Sequence, residues 1–207
     1  MNLKKHLDRA AQALERGQAD FAVELCDQVM DFAPGERLAA ELLAAAAIAN
    51  GDGKSSMLKK LGSGPSGLAA RFNKLTRNPD AEARSLRRSF IKDPTNFPRG
   101  IAWGDALERA GYAGAALGVF SALASYSPDA AKRAGSLAAA QGEVDAALDY
   151  YQQALDSNPR DTEAMRARKN LAAEQALRNA SNAGPSSGMD SDAFLRASRG
   201  EADPNDT

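Results

Sequence analysis

GYAGAALGVFSALASYSP, residues 111–128, and GEVDAALDYYQQALDSNP, residues 142–159, decide the fold. Each opens on a glycine and closes on a proline seventeen residues later, and GQADFAVELCDQVMDFAP at 17–34 keeps the same interval. Within it, Ala22, Val23, Cys26 and Val29 recur as Ala116, Leu117, Phe120 and Leu123, and again as Ala147, Leu148, Tyr151 and Ala154. Self-similarity at a fixed period of a few tens of residues signals an array of identical supersecondary units. Each position has a physical reason. Glycine takes the left-handed conformation that ends one helix, and alanine lets two helix backbones approach closely. Proline lacks an N–H and restricts the residue before it, so it closes the second helix. Upstream of the glycines lie further helical patterns with small residues at crossing positions, as in Ile101, Trp103, Gly104 and Leu107, or Ala134, Gly135 and Ala138. Every unit is predicted to be a helix, a turn and a helix.

This pattern resembles the tetratricopeptide repeat family, whose unit has small residues where two helices cross, a glycine at the turn and a closing proline. The match is best between Phe97 and Pro159. Prolines 34, 65, 94, 128 and 159 are spaced by 31, 29, 34 and 31 residues, near the family period of about 34. The resemblance implies an all-α, superhelical stack of about five hairpins with a C-terminal capping helix over Asp161 to Arg178. Two units depart from the pattern. Arg37 to Gly62 has a good first helix, with Gly51 read as its terminator, and a short second one over Lys54 to Leu61. Ser66 to Pro94 carries Arg77 at the turn and Glu82 in place of the crossing alanine. About eleven helices and no strand are expected, in a repeat domain over 1–178. Residues 179–207 have almost no apolar side chains to offset ordering entropy and read as a disordered acidic tail.

Composition agrees with that class: 43% of residues are apolar, only 6% are aromatic, and alanine dominates, which suits close-packed helices better than strands. The N-terminus holds no apolar run of export-signal length. Leu38 to Ala49, the most apolar stretch, is too short and alanine-rich to span a bilayer, which needs about twenty residues. A single cysteine, Cys26, forms no internal disulfide, and a reducing cytoplasm is the expected setting. Cys26 falls where Phe120 and Tyr151 fall in the other units, so it reads as a buried thiol. Trp103 likewise reads as core. GDGKS at 51–55 lacks the earlier glycine of a phosphate-binding loop, since Ile48 stands there. His6, the only histidine, has no ligand-spaced neighbour. No nucleophile–base pair is offered, so the chain reads as a non-enzyme, with no catalytic, metal or cofactor residue to name.

A binding role remains. In the family, the first helices of successive units line a concave face that holds peptides or protein segments. The resemblance places Arg71 and Lys74, Ile101, Asp105 and Arg109, Lys132 and Ser136, and Arg166 with Asn170 on that face as partner-binding candidates. Co-chaperone members clamp a C-terminal carboxylate with Lys and Asn side chains; Arg166 and Asn170 have the four-residue spacing, but the neighbouring units complete no such set. The expected function is a scaffold or adaptor for a protein or peptide, the alternative a dedicated chaperone of a secretion or assembly system.

The net charge of −1 hides a division. Glu15 to Asp52 carries eight acidic and two basic residues, whereas Lys54 to Lys92 carries ten basic and two acidic. Binding of nucleic acid or another anionic surface through 54–92 is a second alternative, disfavoured by the near-zero net charge and the lack of interleaved aromatics. A basic patch of Arg84, Arg87 and Arg88 is instead expected to meet an acidic partner segment. Two such segments lie in the chain itself: the tail, and the first repeat of a second copy, which would be self-association. On this reading, reversing the three arginines leaves the melting temperature nearly unchanged.

Overall fold

A computed structural model of the chain describes residues 2–53 and 78–182. The expected helix over 54–61, the first helix of the third unit, Arg71, Lys74 and the tail from 183 lie outside the described residues. Those described contain nine helices and no strand: α1 (Leu3–Glu15), α2 (Ala19–Phe32), α3 (Arg37–Gly53), α4 (Pro79–Lys92), α5 (Phe97–Arg109), α6 (Ala113–Leu123), α7 (Pro128–Ala140), α8 (Val144–Ser157) and α9 (Thr162–Asn182). The chain divides into Met1–Arg168 and Lys169–Thr207. In the second unit only the remainder of α9 is described, braced by an Arg178–Glu174 ion pair of 2.8 Å one turn apart. Helix α9 runs to Asn182, four residues past the end expected for the capping helix.

The three glycines that open the repeated stretches are, among the described residues, the three with positive φ: Gly17 at 73°, Gly111 at 86° and Gly142 at 81°. Each ends its helix with the same pair of hydrogen bonds. Gly142 N–H donates to the Ala139 carbonyl at 3.0 Å and Glu143 N–H to the Ala138 carbonyl at 2.9 Å, and the same two bonds follow Leu14 and Glu108. This is the paired closure in which the left-handed residue and its successor satisfy the last carbonyls of the helix. Starts are equally explicit. The side chains of Asn2, Asn78 and Ser127 accept hydrogen bonds from the backbone N–H three residues on, and Asp161 Oδ1 accepts from both Glu163 and Ala164. Prolines 79 and 128 stand at first helical positions, where no intrahelical N–H is needed. Pro128 therefore begins α7; α6 has ended earlier, at Leu123.

The crossing positions follow the repeat register. Ala22, Ala116 and Ala147 are completely buried, as are Cys26 and Phe120 at the next position of the stripe. A Cβ on Gly104 of α5 would stand 2.6 Å from the Phe120 ring of α6, and one on Gly135 of α7 would stand 3.1 Å from the Tyr151 ring of α8. The hairpins α5–α6 and α7–α8 thus close by seating a large ring over a glycine. Ala116→Leu and Ala147→Leu are each expected to cost about 1–3 kcal/mol through overpacking, measured as a lower midpoint in urea; unchanged midpoints would refute this register.

Two departures from the sequence expectation follow from the third helix. Gly51 does not terminate a helix: α3 continues through it to Gly53, and a Cβ on Gly51 would stand 2.6 Å from the Pro94 ring after α4. The glycine serves a close approach rather than a turn. In addition, α3 packs on α6 as well as on α2. Ala39, Ala40, Leu43, Ala44, Ala46, Ala47 and Ile48 are all buried, as expected of a helix covered on several sides. Its seat on α6 is a stripe of small residues, Gly114, Gly118 and Ser121. Gly114 faces the Gly35 carbonyl, Gly118 the backbone of Arg37 and Glu41, and Ser121 donates to Glu41 at 3.4 Å. An Arg37–Glu143 ion pair ties the start of α3 to the N-cap of α8.

Candidate functional site

The first helices of the last two hairpins, α5 and α7, present their outer turns with the start of α9 as one strip of surface. A hollow of about 580 Å³ lies along it, between Ile101 of α5, Lys132, Arg133 and Ser136 of α7, and Glu163 and Ala167 of α9, with the Tyr151 ring behind. A second hollow of about 370 Å³ adjoins it across Arg133, bounded by Asp105, Glu108 and Arg109. Five of the residues expected to meet a partner, Ile101, Asp105, Arg109, Lys132 and Ser136, therefore lie on this strip. Ile101 is half-buried and Ser136 exposed. Arg166 is exposed on α9, and so, in the second unit, is Asn170. This strip is the candidate docking site.

Its charges are held by the fold. The Lys132 ammonium is 20% exposed and lies 3.1 Å from Asp161, 3.1 Å from Glu163 and 3.4 Å from Asp129. Hydrogen bonds that it donates to Asp161 and then Glu163 push its pKa above the ordinary lysine value against the opposing effect of desolvation. Asp161 is shifted the other way, below the ordinary carboxylate value, first by the Ala164 N–H it accepts and then by Lys132. Each shift favours the ionised form, so the Lys132–Asp161 ion pair is formed at neutral pH; it weakens as pH falls through the lowered value of Asp161 or rises through the raised value of Lys132. Arg133 lies 3.3 Å from Asp105, and Arg109 donates to Glu82 at 2.8 Å. Glu82 explains its own departure from the repeat pattern: it is 7% exposed, and its carboxylate is satisfied by that guanidinium.

The basic patch is divided. Arg84 and Arg88 are exposed, with Arg84 at 3.9 Å from Asp31. Arg87 is not a surface residue: its side chain is 3% exposed, with Nε 2.7 Å from Asp27 and a terminal nitrogen on Asp31. The acidic segment it meets is α2 of the same chain rather than a second copy. The expectation that reversing all three arginines spares stability is therefore corrected, because one of them is buried on two carboxylates.

Trp103 is 1% exposed and packs against Phe90 with ring centroids 5.9 Å apart. Cys26 is fully buried, and burial, with the adjacent Asp27, pushes its thiol up to about 12. Since the thiolate is the reactive species, a thiol reagent at pH 8 is expected to label Cys26 only after denaturation. Labelling of the native chain at the rate of a free thiol would contradict that burial.

The paired glycine turns, the buried alanine crossings and the rings seated over glycine define the unit. The fold is an all-α array of helical hairpins, and its unit resembles the tetratricopeptide repeat. No family model matches the chain, and no curated protein matches it. Among solved structures it is similar to one described as MamA MSR-1 C2, at 18% identity and a TM-score of 0.40 over 84% of this chain and 87% of that one. It is also similar to TTC0263, a thermophilic TPR protein of Thermus thermophilus, at 18% identity and a TM-score of 0.39 over 84% and 81%. The assignment rests on the turns and crossings of this chain. In tetratricopeptide-type terms, the strip belongs to the first helices, which is why repeat periodicity could name Ile101, Lys132 and Ser136. It missed Asp129, Arg133, Tyr151 and Glu163. Tyr151 was read as core and is 8% exposed, yet its edge reaches the hollow. The signal for Asp129 and Arg133 was available, since each lies within one turn of Lys132 or Ser136 on α7.

Proposed function

We propose that this protein is an interaction scaffold that holds a peptide, or a segment of another protein, along the strip formed by α5, α7 and the first turns of α9. The observation that supports this reading is the pair of adjoining hollows, which three helices from successive repeats build together. Ile101 and Ala167 offer an apolar seat and Ser136 an exposed hydroxyl, so the strip provides the mixture of apolar contact and polar fixing that small recognition sites use. Its cations are already paired within the fold, so an incoming segment meets a preorganised surface and loses less to ordering it.

Capture from a native lysate by the wild-type chain and by an Ile101→Glu, Ser136→Arg double variant tests the reading. Ser136 is exposed and Ile101 half-buried, so the comparison is made only where a circular dichroism melt shows that the variant is folded at the temperature of the capture. Proteins retained by the wild type and lost by the variant are the expected result. Recovery of the same set by both would overturn it.

A further inference from the structure

The strip offers an occupant more carboxylate than cation, and this sets the charge of what it can hold. The two hollows are lined by four carboxylates, Asp105, Glu108, Asp129 and Glu163, against three cations, Arg109, Lys132 and Arg133; behind them Glu82 takes up Arg109 and Asp161 takes up Lys132. All three cations are engaged: Arg109 by Glu82, Arg133 by Asp105 and Lys132 by three carboxylates at once. The surplus is also the exposed part. Asp129 is 74% and Glu163 80% exposed, though both touch Lys132, and Glu108 is open to solvent.

From this distribution we infer that the strip is selective for a basic segment, one carrying Lys or Arg on either side of an apolar side chain. The inference rests on the reading of the strip as a docking surface and names the chemistry of its occupant. An acidic segment would have to draw Lys132 away from its three carboxylates while setting its own beside Asp129 and Glu163. A basic segment meets those same carboxylates directly and adds counter-charge where three of them share the single ammonium of Lys132. Its apolar side chain would lie on Ile101 and Ala167, with cationic groups reaching Asp129 and Glu163 on one side and Glu108 on the other. Because these carboxylates are exposed, the attraction is screened beyond about 8 Å at physiological salt, and binding should weaken as salt rises. This is the opposite of the acidic partner expected from the charge run over 54–92. The cations of that run that the structure describes are Arg84, Arg87, Arg88 and Lys92; they stand on α4 and do not line the strip.

The test uses three heptapeptide probes that alternate alanine with Lys, Glu or Gln around a central leucine, titrated into the full-length isotope-labelled chain. Backbone amides of Ile101, Ser136 and Ala167 are followed. The Lys probe is expected to shift them at low salt, with the shift fading at high salt, while the Glu and Gln probes leave them in place. An Asp129→Lys, Glu163→Lys double variant is expected to weaken the Lys probe roughly tenfold, as the loss and reversal of two exposed ion pairs allow, and to admit the Glu probe. Asp161 remains on Lys132 in that variant, which keeps α9 attached. Equal or larger shifts with the Glu or Gln probe, or no shift with any of them, would overturn the basic preference. The docking strip itself falls only if the Ile101→Glu, Ser136→Arg variant also captures the same proteins as the wild type, so the two failures are distinguishable.

Discussion

Arg87→Glu is expected to lower the melting temperature by about 10 °C, whereas Arg84→Glu and Arg88→Glu should each leave it nearly unchanged. All three belong to one run of basic residues, but their surroundings differ. Arg87 has 3% of its side chain exposed and neutralises Asp27 and Asp31 of α2. Glutamate there would place a third carboxylate at the centre of the other two, with little water to solvate it. Removing one member of a buried pair costs about 3–5 kcal/mol. The lower end applies here, because Asp27 and Asp31 are themselves 36% and 49% exposed and keep part of their hydration. In a domain of this size about 3 kcal/mol corresponds to roughly 10 °C. Arg84 is 52% exposed and only 3.9 Å from Asp31, a contact of the kind worth less than about 1 kcal/mol. Calorimetry on the three single variants decides the matter, and equal melting of all three would mean that α2 and α4 do not meet as described.

Gly118→Leu is expected to destabilise by about 3 kcal/mol or more and to release α3. Gly118 is a mid-helix glycine in α6, where alanine ordinarily gains about 1 kcal/mol of helix propensity, so propensity alone says that any larger residue should help. The crossing reverses the sign. A Cβ on Gly118 would overlap the Arg37 carbonyl oxygen and stand 3.1 Å from the Glu41 nitrogen. Both are helix backbone, which cannot swing aside as a side chain can. Overpacking typically costs about 1–3 kcal/mol, and against a rigid backbone the upper end applies. Gly114→Ala is the matched control, because its Cβ would meet the Gly35 carbonyl oxygen at 3.7 Å and Arg37 Cβ at 3.8 Å, ordinary contact distances; it should be neutral or mildly stabilising. Hydrogen exchange would localise the effect, with α3 amides losing protection in Gly118→Leu and retaining it in Gly114→Ala. Full protection of α3 in the leucine variant would show that its seat on α6 is wrongly placed.

The repeat unit was legible because its chemistry is local. Gly17, Gly111 and Gly142 take positive φ, a backbone state that glycine alone adopts without strain. The alanines five residues on are buried because a helix buries positions at its own period. Most of the strip was legible for the same reason, since Ile101, Lys132 and Ser136 face outward at the spacing of a first helix. Its charge was not. Counting residues along the chain made 54–92 the basic surface, but Coulomb interaction depends on distance in space, and the fold sets Arg87 on α2 and Lys132 among three carboxylates drawn from two elements.

By itself, the sequence determined the helix–turn–helix unit, the positions of the turns and the side chains of each hairpin that are buried, because hydrogen-bond closure at glycine and side-chain periodicity act over a few residues. Only the tertiary structure decided that α3 lies on α6, that Glu82 is buried on Arg109 and that the carboxylates outnumber the cations on the α5–α7–α9 strip. The first two of those outcomes join residues 80 and 27 positions apart. Local pattern carries no record of which helix another will meet; the small faces of Gly114 and Gly118 acquire their meaning only once α3 has been laid across them.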